Sequence, residues 1–240
     1  MCTAVRTSAT PTCCGSPTRS ARWWSRWTTG SPEHPFPAGL EDSYAALVWT
    51  AGHAAELDID PARLAIGGDS AGGGLATALA LMARDRGGPA LCFQYLGVPM
   101  LDDRMETASM RVFTDTPVWN RPIAEICWSH YLGGEGRRGG PEVPEYAAPA
   151  RVADLSGLPP AFVYVCEFDP LRDEGMSYAQ RLVQAGVTTE LHLYPGTFHG
   201  SAGLPWRGNQ PGDARRRAGR PPARTARALG GAAALFTVAE

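Results

Sequence analysis

Lysine is absent from the 240-residue chain: all 22 basic residues are arginine. So complete a replacement reflects the base composition of the coding sequence more than any physical need. Long apolar runs are missing too, and none reaches the roughly 18 residues that a membrane-spanning helix requires. The six cysteines (Cys2, Cys13, Cys14, Cys92, Cys127 and Cys166) are scattered. That spacing excludes a disulfide scaffold and a paired-cysteine metal site, and leaves free thiols in a reducing cytoplasm as the expectation. With 44% hydrophobic and 19% charged residues, what remains is a soluble globular domain large enough for a real core.

A formal net charge of -2 hides an uneven distribution. Residues 1–32 hold four arginines and no acid, and residues 201–240 hold seven arginines against Asp213 and Glu240. Between these basic ends, residues 33–200 carry 22 acidic side chains and 11 arginines. The cluster Arg215-Arg216-Arg217 lacks the aromatic interleaving or fold motif of a nucleic-acid site, so no such partner is expected.

Helix and strand signals alternate through the middle. Leu40, Tyr44, Leu47, Val48 and Ala51 form one stripe at helical spacing within 37–57. The runs 63–67, 90–101, 161–166 and 190–194 read as apolar strands, and 75–86, 122–132 and 176–185 as helices. Apolar strands alternating with amphipathic helices predict an α/β fold with a mostly parallel sheet covered on both faces.

The sharpest motif is Gly68-Asp69-Ser70-Ala71-Gly72, a G-x-S-x-G between a strand and a helix. Small residues two positions either side of the serine let neighbouring backbone pass close to a strained elbow. The helix that follows directs its free N–H groups at the hydroxyl, so the Ala71 N–H is a candidate oxyanion donor. A serine nucleophile needs a base, and the base a carboxylate to orient it. Of His34, His53, His130, His192 and His199, only His199 follows the last strand beyond the carboxyl end of the sheet, where ligands of open α/β folds bind. Asp169 exits the 161–166 strand just before Pro170, whereas Asp173 and Glu174 look like the cap and first turn of the next helix. Position therefore favours Asp169 as the carboxylate. The order Ser, Asp, His excludes the trypsin-like reading of GDS-x-G, which runs His, Asp, Ser on an all-β fold.

Five blocks carry a resemblance: PEHPFPAGLEDSYAALVW (32–49), IDPARLAIGGDSAGG (59–73), ALMARDRGGP (80–89), CEFDPLRDEG (166–175) and YPGTFHG (194–200). In this order they resemble the bacterial hormone-sensitive-lipase-like carboxylesterases of the α/β-hydrolase fold 3 family. The resemblance implies hydrolysis of a short-chain carboxylic ester, without cofactor or metal, with Ser70 as nucleophile, His199 as base and Asp169 as the acid of the triad. Gly68, Asp69 and Gly72 belong to the family's elbow signature.

That family also has a His-Gly-Gly-Gly loop supplying most of its oxyanion donors, an N-terminal helical cap, and a Tyr-Arg-Leu-Ala-Pro-Glu segment. No His-Gly-Gly occurs here, and only Pro32-Glu33 remains of the last. Shifting the reading frame across codons 23–32 permits Val-Val-Ser-Val-Asp-Tyr-Arg-Leu-Ala, so residues 1–31 are expected to be out of frame and disordered. Residues 32–200 are then a partial catalytic domain lacking the cap and first strands, with a bare sheet edge, and residues 201–240 a basic low-complexity tail, for which a shift in the other phase and a genuine divergent tail are the two readings. Impaired activity is expected. The rival reading is an inactive hydrolase fragment or a basic-tailed binding module.

Overall fold

The structure, a computed structural model, describes residues 23–28, 34–201 and 234–239. Four strands form the centre of the sheet: β2 (Leu64–Asp69), β3 (Leu91–Gly97), β4 (Ala161–Phe168) and β5 (Thr189–Phe198). Helix α1 (Ala38–Gly52) precedes them, α2 (Ala71–Asp85) joins β2 to β3, and α5 (Arg172–Gln184) joins β4 to β5. The connection from β3 to β4 is a long excursion carrying α3 (Ala108–Val112) and α4 (Arg121–Tyr131). All pairings are parallel, in the order β2-β3-β4-β5.

Two further strands, β1 (Trp23–Thr28) and β6 (Ala234–Ala239), extend the order to β1-β6-β2-β3-β4-β5. The sequence places both stretches outside the catalytic domain. The structure instead sets them beside β2, on the edge expected to be bare, with β6 paired to both β1 and β2. Both runs carry the aromatic and β-branched residues that favour an extended chain. The rest of 1–31 and 201–240, apart from Ser201, lies outside the described residues, and with it the expected disorder and out-of-frame reading.

Helix α2 is the buried axle of the domain. Its residues from Gly72 to Ala83 are all buried, and full burial of Leu79, Leu81 or Met82 is worth about 1.5–3 kcal/mol each. They join Leu64, Ile66, Leu96 and Val163 on one face of the sheet. The other face is aromatic, with Phe93, Phe162, Tyr164 and Tyr194. A smaller core of Met100, Met105, Met110, Trp128 and Leu171 organises the excursion. Helix α4 begins where Asn120 Oδ1 accepts the Ile123 N–H at 3.2 Å, and α3 where Thr107 Oγ1 accepts that of Met110 at 3.3 Å. Within the excursion, Asp103 is fully buried and bonded by Arg151 at 2.6 and 2.9 Å and by the Gly139 N–H at 2.6 Å.

Candidate active site

Ser70 sits between β2 and α2 with φ 59° and ψ -124°, a conformation that L-residues rarely adopt. Three backbone hydrogen bonds hold it there. Its N–H donates to Gly97 O at 2.8 Å, while its carbonyl accepts from Gly74 at 3.1 Å and from Met100 at 3.1 Å. The glycine spacing has a steric cause: a Cβ on Gly68 would overlap the Gly72 carbonyl, and one on Gly74 would overlap that of Met100. Strain of this kind persists only where the surroundings over-determine it.

The imidazole of His199, just past β5, lies between two partners. Nε2 is 2.9 Å from Ser70 Oγ, and Nδ1 is 2.8 Å from Asp169 Oδ2. A carboxylate only accepts, so Nδ1 carries the proton and Nε2 is left to accept from the serine hydroxyl. Asp169 is fully buried, and its other oxygen accepts the Leu171 N–H at 2.9 Å. Ser70, Asp169 and His199 thus converge at the carboxyl ends of β2, β4 and β5.

The other candidates are elsewhere. Asp173 accepts from Ser109 N at 2.7 Å and Arg172 Nε at 2.8 Å. Partial burial raises its affinity for a proton, but these bonds win and hold the carboxyl below its usual range. His192 is 2.7 Å from Glu190 on β5. His53 caps α1 and stacks on Trp49, and His34 and His130 are exposed. Ala71 opens α2, where the first N–H groups of a helix lack intrahelical acceptors.

Three neighbours are given no part in the site by the sequence. Trp119 stacks on the His199 ring at 5.4 Å between centroids. Tyr164 donates its hydroxyl to Asp69 Oδ1 at 2.8 Å, and burial beside that carboxylate pushes the phenol well above its usual range. Gly97 makes room for this pair, because a Cβ there would overlap both Asp69 Oδ1 and the Tyr164 ring.

The third is Glu174, buried within α5, whose Oε1 accepts the N–H groups of Leu101 at 2.6 Å and Asp102 at 3.4 Å. Burial drives its carboxyl well above the usual range, against the pull of those two bonds, and the Asp102 charge adds to the rise. Because the folded value is raised, the unfolded state ionises first as pH climbs, and stability is lost from the ordinary carboxyl range (about 4.3) upward. Glu174→Gln keeps the accepting oxygen and removes this penalty. Its unfolding free energy in urea, relative to that of the native protein, should therefore be larger (the variant relatively more stable) at pH 7 than at pH 4. A constant difference would contradict the assignment.

Among the described residues no cluster of three or more His, Cys, Asp or Glu side chains could hold a metal ion. Cys92 and Cys166 are free thiols. No helix among these residues is long and apolar enough to cross a membrane.

Comparison with known proteins follows the same lines. Carboxylesterase NlhH of Mycobacterium tuberculosis is 45% identical over 170 residues, which are 71% of this chain and 53% of that protein. Esterase LipI of the same organism is 40% identical over 174 residues, 72% of this chain and 53% of that one. Among solved structures, a bacterial heroin esterase superposes with a TM-score of 0.74 at 50% identity, covering 83% of this chain and 60% of its own. The chain spans about half the length of the curated relatives it matches. The sequence profile of the alpha/beta hydrolase fold family matches residues 29–202, and the chain belongs to that family.

Proposed function

We propose that the chain hydrolyses short-chain carboxylic esters through an acyl-enzyme on Ser70. The observation that carries this reading is the His199 imidazole hydrogen-bonded on one side to Ser70 and on the other to buried Asp169. Ser70 Oγ attacks the ester carbonyl as its proton passes to Nε2. Asp169 holds the ring and stabilises the imidazolium, which returns the proton to the departing alcohol. Water, deprotonated by the same nitrogen, then cleaves the acyl-serine to the acid. The names of NlhH and LipI, a carboxylesterase and an esterase, support the substrate class.

The Ala71 N–H is the donor we assign to the oxyanion. Since the sequence contains no His-Gly-Gly-Gly segment, and each missing donor costs about 10²–10³ in turnover, we infer a slow enzyme. The test uses p-nitrophenyl acetate and the purified full chain, quenched at intervals and digested for peptide mass spectrometry. The expected result is slow p-nitrophenolate release, with an acetyl group mapped to Ser70. Acetylation confined to other residues, or none at all, would remove the proposal.

A further inference from the structure

The turn between α3 and α4 contains a strained residue to which the triad gives no role. Val118 is β-branched, yet its φ is 69°, a region such side chains avoid. At 60% exposed, its own side chain gains little from being there. The conformation instead presents the next residue to His199. The ring of Trp119 lies over that imidazole, 5.4 Å between centroids and 29° from parallel. The backbone N–H of Trp119 donates to Pro117 O at 2.8 Å, and its backbone carbonyl accepts from Thr116 Oγ1 at 2.7 Å. Asn120, the cap of α4, bonds back to Thr116 O at 3.3 Å, so the turn is fixed to a helix.

A second unfavourable feature coincides with the first. The indole Nε1 of Trp119 is buried and has no hydrogen-bond partner among the described residues, although buried donors are nearly always paired. Backbone strain and an orphaned donor at adjacent residues mark a place where something other than stability is served.

We propose that Trp119 is a positioning residue for His199, an inference that rests on the triad reading above. Asp169 fixes the imidazole through one atom, Nδ1, which leaves the ring free to swing about that bond. The indole face blocks the swing and keeps Nε2 aimed at Ser70 Oγ. Within about 6 Å, an aromatic face also attracts a cation, so it favours the imidazolium that forms as Ser70 attacks.

The test is the rate at which a fluorophosphonate labels Ser70 in the full chain. In that step the Oγ–P bond forms, the P–F bond breaks, fluoride leaves, and the serine proton passes to His199. Trp119→Leu should slow labelling at least about tenfold, through the limiting rate constant and not the half-saturating concentration. Trp119→Phe keeps a ring face and deletes the orphaned donor, so it should label within about threefold of the native rate and melt no lower. Val118→Gly relieves the left-handed strain and should melt no lower while labelling several-fold more slowly. Native-rate labelling of Trp119→Leu, or a Phe variant as slow as the Leu one, would overturn the inference. If the Leu variant does not fold, native-rate labelling of a folded Val118→Gly protein would do the same. Native protein that is not labelled at Ser70 would overturn the triad reading and this inference with it.

Discussion

Asp169→Asn is expected to lower the rate of ester hydrolysis by about 10⁴. The reason is local. In the native site one carboxylate oxygen accepts the Leu171 N–H and the other accepts from His199 Nδ1. An asparagine has a single accepting oxygen, and the fixed Leu171 N–H claims it. The amide NH₂ then faces His199 Nδ1, which must become the acceptor, and the ring proton moves to Nε2. A protonated Nε2 cannot take the proton of Ser70. Steady-state turnover of p-nitrophenyl acetate by the folded variant checks this, and a loss smaller than tenfold would show that Asp169 does not set the tautomer.

Asp103→Ala is the substitution with the largest expected effect on stability. Asp103 has no exposed side-chain surface, and Arg151, which grips both its oxygens, is only 16% exposed. Removing the acid leaves a nearly buried guanidinium without a counter-charge and the Gly139 N–H without its acceptor. Breaking a buried pair from one side costs about 3–5 kcal/mol, which for a chain of this size lowers the melting temperature by roughly 6–20 °C. Asp103→Asn keeps an acceptor for Gly139 and should lose less. The bidentate pair of Arg86 and Glu41 makes the contrast, since both partners are some 40% exposed or more. Solvent screens such a pair, and its loss should shift the melting temperature far less than that of Asp103. Thermal unfolding of the Asp103 variants decides the matter: a shift of only a degree or two would mean that the pair is not structurally important.

The elbow was legible in the sequence because its spacing is dictated by backbone contact. Gly68 must clear Gly72 whatever surrounds them, so the motif reads the same locally and in the fold. His199 and Asp169 could be picked out because each follows an apolar strand, and strand ends are where a parallel sheet presents side chains to a ligand. Trp119 left no such trace. It lies in an aperiodic stretch, and its place over His199 depends on one residue at positive φ and on a turn held by Thr116 and Asn120. The strands Trp23–Thr28 and Ala234–Ala239 were illegible for a different reason: each is six residues long, and they pair with one another across nearly the whole chain. Strand ends were harder to read than strand existence. β5 runs through Pro195-Gly196 to Phe198, residues whose composition suggests a loop.

The pocket of space at Gly97 ties together two positions that are distant along the chain. Tyr164 reaches Asp69 from β4 only because β3 offers no side chain in the way. A mutation adding even a methyl group at 97 closes that route, and a smaller residue at 164 opens a void beneath the nucleophile's neighbour. Neither site can drift alone, and anyone enlarging or reshaping the floor under Ser70 would have to redesign both at once.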